Sequence, residues 1–403
     1  MEFGVVKSLL NDTDKGKIVL LVLDGLGGLP MEDGGMTELE AANTPNMDLL
    51  AKRSMLGLHQ GIRTSITPGS GPAHLSLFGY DPLQYKIGRG VLSALGIDFD
   101  LQKQDVAARG NFCTVDEDGR VTDRRAGRIP TEITERLCKL LRGKVKIPGV
   151  EVFLQPVKEY RFLLVIRGEG LKPNIEETDP LVLGKKPLPA KAIDTASEKA
   201  AEIVQEFVRQ AEGVLADENP ANMLLLRGFA QLPDWPMFPD VFRLKPIAIA
   251  MYPMYRGVAK LVGMDCPPAS HDYNEEIDLL EENWGKYDFF FVHIKKTDSY
   301  GEDGNFVNKV KEIEKVDALL PGILALDPSV LIITGDHSTP CAMKSHSWHP
   351  VPVLFHAKTC RPDGIASFGE RACLNGGLGV RFPAYDLMPL ALAHAGRLEK
   401  FGA

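Results

Sequence analysis

No apolar run in this 403-residue chain approaches the roughly 20 residues a membrane-spanning helix needs; Ile18–Leu23 and Phe289–Ile294 are far shorter. An excess of positive charge is also missing. A formal net charge of −8 argues against a general nucleic-acid binder and a polybasic membrane binder, while leaving room for a local basic pocket that takes a small anion. The first 16 residues carry Lys7, Asp12, Asp14 and Lys15 around short apolar patches, so no signal-peptide pattern is read there. The six cysteines, Cys113, Cys138, Cys266, Cys341, Cys360 and Cys373, form no C-x-x-C pair and no zinc-ribbon spacing. Free thiols in a reducing cytoplasm are therefore expected. Cys341 follows Asp336-His337 closely enough to raise a metal-ligand question, although one cysteine without a spaced partner is more often structural. Phosphate-loop patterns are absent as well. The glycine-rich segment after Asp24 fits neither the dinucleotide nor the P-loop spacing, and Pro30 would spoil a following helix, so it reads as a loop that carries Asp24 and little more.

What is present is the composition of an ordinary soluble protein, 44% hydrophobic and 25% charged, long enough for one large or two moderate domains. Short β-branched or aromatic runs, Lys17–Leu23, Ile247–Met251, Asp288–Ile294, Ser329–Thr334 and Val351–Phe355, read as buried strands. Helical patterns separate them: Thr44 and Pro45 start one that runs to about Ser54, and others cover Tyr255–Val262, Asn274–Trp284, Val307–Leu320 and Tyr385–Ala395. This alternation predicts an α/β fold with a mostly parallel sheet flanked by helices. Between Gly110 and Arg243 the texture changes. A hairpin turns at Asp116–Gly119, Val150–Leu154 and Arg161–Arg167 alternate like antiparallel strands, and Asp194–Leu215 is the clearest amphipathic helix. An α+β domain spanning residues 110–243 is thus expected inside a discontinuous core formed by 1–109 and 244–403.

Three predicted strand ends carry acids or imidazoles: Asp24, then Asp298 with Glu302, then Asp336-His337 with His346 nine residues beyond. Strand C-termini of a parallel sheet share one edge, so these groups converge. Together with Ser70 they exceed one metal's needs and suit a two-metal phosphoryl-transfer site; without cations, four carboxylates in one cleft would repel one another strongly. Ser70 sits in the turn Pro68-Gly69-Ser70-Gly71-Pro72 before a helix, where it serves either as a nucleophile that accepts a phosphoryl group or as a simple helix cap.

The segments VLDGLGGLP, ELEAANTPNMDLLA, TPGSGPAHLSLFGYDP, GRGVLSALGI, TDRRAGRI, HIKKTDSYGEDG, ITGDHSTP and KSHSWHPVPVL, in this order, resemble the cofactor-independent phosphoglycerate mutases. The resemblance is to their archaeal-type branch, within the alkaline phosphatase superfamily, and it covers essentially the whole chain. It implies an alkaline phosphatase-like core with an inserted substrate-binding cap and an isomerase that interconverts 3- and 2-phosphoglycerate. Ser70 would be the phosphoserine nucleophile, with two divalent metal ions and no 2,3-bisphosphoglycerate. Asp24, Ser70, Asp336 and His337 would surround one ion; Asp298, His346 and position 302 would hold the other. Arg124 and Arg128, with Arg120 and Arg125, would grip phosphate and carboxylate, and Asp123 would lie near the glycerate hydroxyls. His74 receives no firm role. The expected partner is a small phosphorylated three-carbon acid, with no nucleic acid and no membrane, and homo-oligomerisation stays open.

Glu302 departs from the family's commoner D-x-x-G-H. A carboxylate is a harder donor than imidazole and favours magnesium or manganese over zinc; the rival reading has Glu302 facing solvent beside a weak second site. Gly71-Pro72 and Trp348-His349 are further departures. A metal-dependent phosphohydrolase, another phosphomutase, or a non-catalytic phosphometabolite binder remain alternatives on the same residues.

Overall fold

The computed structural model describes residues 2–11 and 16–402; the charged residues Asp12, Asp14 and Lys15 read above lie outside that description. In chain order the strands are β1 (Ile18–Leu23), β2 (Met55–Gln60), β3 (Val106–Val115), β4 (Val121–Asp123), β5 (Glu151–Lys158) and β6 (Arg161–Arg167). They continue with β7 (Met223–Ala230), β8 (Pro246–Ala250), β9 (Phe289–Ile294), β10 (Val330–Thr334), β11 (Val351–Ala357) and β12 (Gly379–Pro383).

The chain divides into two compact units, 1–86 with 235–403, and 87–234. The first unit is built on a seven-stranded sheet in the order β12-β2-β11-β10-β1-β9-β8. β10, β1, β9 and β8 run parallel, and all four are buried along their whole length. Side chains covered on both faces explain why these strands read as unbroken apolar runs. β11 is antiparallel to both β10 and β2. The cause lies in the connection: among residues 335–350 there is no helix, and without a helical crossover the chain returns antiparallel.

Flanking helices bury one stripe each. Phe306–Ala325 buries Ile313, Val316, Leu320 and Ile323. Pro45–Ala51 buries Met47, Leu50 and Ala51, but Thr44 makes no side-chain cap. The helix is capped from a distance instead: Asp317 accepts from the backbone of Met47 at 2.7 Å and of Asn46 at 3.2 Å.

The second unit is an antiparallel sheet, β4-β3-β6-β5, with β7 paired to β3. The helices Thr131–Lys144 and Glu198–Leu215 bury their apolar stripes in its core, among Leu137, Leu141, Val204 and Phe207. Asp194 ends as a capping residue, accepting from Ser197 N–H, rather than as the first helical one. The unit begins before 110 and ends before 243. The helix Arg89–Leu95 packs on β3, β6 and β7, so the segment from residue 87 joins this sheet and not the parallel one.

Candidate active site

In the first unit, Asp24 follows β1, Asp298 lies in the first turn of the helix Lys296–Asp303 after β9, and Asp336-His337 follow β10. All four are buried. The parallel register aligns these strand ends, which delivers the predicted convergence. Asp24, Asp336 and His337 form one group of potential ligand atoms, all within 4.8 Å of one another; Asp298, His337 and His346 form a second.

Hydrogen bonds fix which lone pairs face inward. Thr339 Oγ1 donates to Asp298 Oδ1 at 2.7 Å, so it accepts from His337 Nδ1, 2.9 Å away. His337 Nε2 is then left as a bare lone pair, 3.1 Å from Asp336 Oδ2, 3.4 Å from Asp24 Oδ1 and 3.2 Å from Ser70 Oγ. Neither of those two carboxylate oxygens has a hydrogen-bond donor, and both are buried. A set of facing lone pairs without protons between them is repulsive as it stands and fits a divalent cation. His346 repeats the logic: its Nδ1 donates to Pro68 carbonyl at 2.9 Å, leaving Nε2 to face Asp298 Oδ1 at 3.5 Å. The two imidazoles stack 3.7 Å apart.

Electrostatics follow the same pattern. Burial, then the Asp24 carboxylate, pushes Asp336 up to about 6. Burial opposes ionisation of Asp24 too, but His293, Lys295 and His337 outweigh it and hold Asp24 well below the usual carboxylate range. Burial drives His337 well below its ordinary value, which keeps the imidazole a neutral donor.

Ser70 opens the helix Ser70–Leu77, so the helix begins at the serine rather than after it. Its Oγ points at His337, and the first-turn amides of Ser70 and Gly71 have no acceptor inside the helix. Glu302 lies one turn beyond Asp298 on its helix, yet stands outside both groups; its Oε1 is 3.8 Å from His346 Nε2 and its side chain is 56% exposed. Burial of the remainder and the nearby Asp298 charge raise its carboxyl. Cys341 belongs to neither group: its amide donates to Glu38 and its Sγ faces the Tyr300 carbonyl.

His74, named in the sequence without a firm role, and Tyr255 and Lys295, which the sequence did not single out as site residues, complete the surroundings. His74 Nδ1 donates to the Ser70 carbonyl at 2.8 Å and lies 3.3 Å from Asp336 Oδ2, linking the Ser70 turn to the carboxylate after β10. Burial disfavours its charged form, but Asp336 outweighs that and raises it. Tyr255 donates its hydroxyl to Asp24 Oδ2 and stacks on His293 at 3.7 Å. Lys295 Nζ bridges Asp24 at 3.0 Å and Asp298 at 2.5 Å, a cation already placed between the two groups.

In the second unit, Arg124 and Arg125 line a cavity of about 180 Å³ with Arg109, Asn111, Arg161 and Arg227. Arg124 is held bidentately by Asp179, at 2.9 and 2.6 Å. Arg109 Nε and Asn111 Oδ1 are buried without partners. Arg120 and Arg128 do not line this cavity: Arg120 donates to the Gly184 carbonyl, and Arg128 lies 3.8 Å from Glu159. Asp123 gives both oxygens to backbone amides, those of Arg125 at 2.8 Å and Gly127 at 2.6 Å, shaping the turn that presents the arginines. Ala126, Gly127 and Arg128 all have positive φ in that turn.

The model of the 2,3-bisphosphoglycerate-independent phosphoglycerate mutase family matches residues 51–222. A probable 2,3-bisphosphoglycerate-independent phosphoglycerate mutase from Thermus thermophilus is 52% identical, over 100% of this chain and 99% of its own length. One so described from Thermotoga maritima is 52% identical over 98% of each chain. Among solved structures, a protein from Pyrococcus horikoshii matches with a TM-score of 0.79 at 34% identity, over 96% of this chain and 100% of its own. The cofactor-independent phosphoglycerate mutase from Thermoplasma acidophilum matches with a TM-score of 0.72 at 29% identity, over 94% and 100%. Identity of this order along the full length leaves one conclusion: the chain belongs to the 2,3-bisphosphoglycerate-independent phosphoglycerate mutase family.

Proposed function

We propose that the protein interconverts 3-phosphoglycerate and 2-phosphoglycerate through a phosphoserine at Ser70. The observation that carries this reading is Ser70 Oγ, 3.2 Å from the unprotonated His337 Nε2, beside two buried carboxylate oxygens that lack donors. Asp24, Asp336 and His337 with Ser70 would hold one divalent ion, and Asp298 and His346, with Glu302 at the margin, the other. When bound, such ions supply positive charge for the transferring phosphoryl oxygens and favour the ionised serine hydroxyl.

The chain's own groups do the rest. Ser70 Oγ attacks phosphorus in line, the bond from phosphorus to the substrate hydroxyl breaks, and glycerate is released to re-orient. Its other hydroxyl then takes the phosphoryl group back from Ser70. Free amides of the first helical turn offer donors to the phosphoryl oxygens. Asp123, Arg120, Arg124, Arg125 and Arg128 stay assigned to the substrate's hydroxyls and anionic groups, to which Arg109, Arg161 and Arg227 are added; guanidinium forks suit phosphate and carboxylate alike. Mostly oxygen donors with a carboxylate at 302 favour manganese or magnesium over zinc. Six free thiols suit the reducing cytoplasm, and interconversion of 3- and 2-phosphoglycerate would serve glycolysis or gluconeogenesis.

Incubation with 3-phosphoglycerate and manganese tests the reaction. Accumulating 2-phosphoglycerate supports the mutase; release of free phosphate instead would assign a phosphohydrolase to the same residues.

A further inference from the structure

One fully buried cation takes no part in the chemistry above. Lys309 lies on the helix Phe306–Ala325 in phase with Ile313, Val316 and Leu320, where an apolar side chain would serve packing better. Burying an ammonium costs several kcal/mol unless it is fully compensated. Here it is compensated: Lys309 Nζ donates to the carbonyls of Gly25 at 2.9 Å, Thr339 at 2.9 Å and Gly27 at 3.3 Å, with Glu38 Oε1 3.7 Å away.

Two of those three residues also touch the candidate ligands through a second polar group. Gly25 N–H donates to Asp336 Oδ1 at 3.1 Å. Thr339 Oγ1 donates to Asp298 Oδ1 and accepts from His337 Nδ1. Thr339 N–H also reaches the Gly27 carbonyl at 3.0 Å, closing the loop after β1 onto the loop after β10. One ammonium therefore sits a single residue behind three of the groups whose lone pairs converge.

We infer that Lys309 is a positioning residue, a built-in monovalent cation whose four-oxygen cage holds the two ligand-bearing loops at the spacing divalent metal binding requires. This rests on the metal-site part of the proposed function. It makes Lys309 replaceable in kind: a small cation of ammonium or potassium size would fill the cage left by a truncated side chain.

The test titrates manganese into the full chain by electron paramagnetic resonance with no substrate present. Lys309→Met is expected to bind manganese roughly ten- to a hundredfold more weakly, the usual cost of losing a group that orients metal ligands. In Lys309→Ala, ammonium chloride should restore much of that affinity, whereas tetramethylammonium chloride at equal ionic strength should not. A folded Lys309→Met with parental affinity, or equal effects of the two salts on Lys309→Ala, overturns the inference. Recovery of folding by Lys309→Ala only with ammonium present would support it. Should neither variant fold in any salt, Glu38→Gln decides: weakened manganese binding supports the cage and parental affinity contradicts it. Because no substrate is used, a protein that binds manganese as described but forms no 2-phosphoglycerate would refute the reaction and leave the role of Lys309 standing.

Discussion

Ser70 and an ordinary first-turn serine differ by one contact, the 3.2 Å approach of Oγ to His337 Nε2. Ser70→Ala should abolish formation of 2-phosphoglycerate while manganese binding by Asp298 and His346 persists, a split read by pairing the mutase assay with a metal titration. Residual turnover near the parental rate would remove Ser70 from the mechanism. Glu302 is the second informative position. Its side chain is 56% exposed and stands outside both groups of buried acids and imidazoles, so in the proposed two-ion site it is the weakest of the assigned ligands. Glu302→His supplies a softer nitrogen donor, and relative activity with zinc over manganese should rise. An unchanged metal ranking would show that position 302 does not ligate. The strand-end acids were legible because a buried strand announces itself by its apolar run and its first polar residue marks its end. Lys309 was not singled out: a lysine in phase with an apolar stripe gains its meaning only from the three carbonyls around it. Arg109, Arg161 and Arg227 were not legible, since they stand on β3, β6 and β7, and only sheet pairing unites them.

Elements were read well where one physical signal dominated. The helix Tyr273–Asn283 and the strands β8, β9 and β10 fall within a few residues of their expected bounds. β2 and β12 were missed for identifiable reasons. β2 contains Gly57, where a Cβ would come within 2.6 Å of the Gly379 carbonyl, and it ends in His59-Gln60; β12 is largely exposed. The glycine-rich loop was underestimated. Gly25 has φ +64°, and a Cβ there would meet Thr339 Oγ1 at 2.6 Å, so this glycine allows the loop after β1 to touch the loop after β10. Helix capping by Asp317 is likewise tertiary and invisible locally. Asp317→Ala should cost about 1–2 kcal/mol by urea denaturation, through two amides left without an acceptor. A midpoint equal to the parent's would mean that Asp317 does not stabilise the helix Pro45–Ala51.

Across the whole molecule, buried carboxyls away from the site give a pH signature. Burial pushes Glu276 up to about 8, against partial relief from Ser270 and the Met251 backbone, and one of its oxygens has no partner. The folded chain then keeps a proton that the unfolded chain has released. This contribution to stability is complete below the unfolded value and declines as pH rises, from about 5 to about 8. Glu370, pushed up to about 7 chiefly by burial, acts in the same direction. Glu276→Gln should flatten the decline of stability over that window in urea melts at successive pH values. An identical slope in both proteins would show that Glu276 does not bind the proton.

The most direct test is to quench the enzyme with acid during turnover of 3-phosphoglycerate in manganese and to analyse its peptides by mass spectrometry. The predicted result is one added phosphoryl group on the peptide bearing Ser70, localised to that residue and absent from Ser70→Ala. An active enzyme with that peptide unmodified at every quench time, or with the phosphoryl group on another residue, would contradict transfer through Ser70.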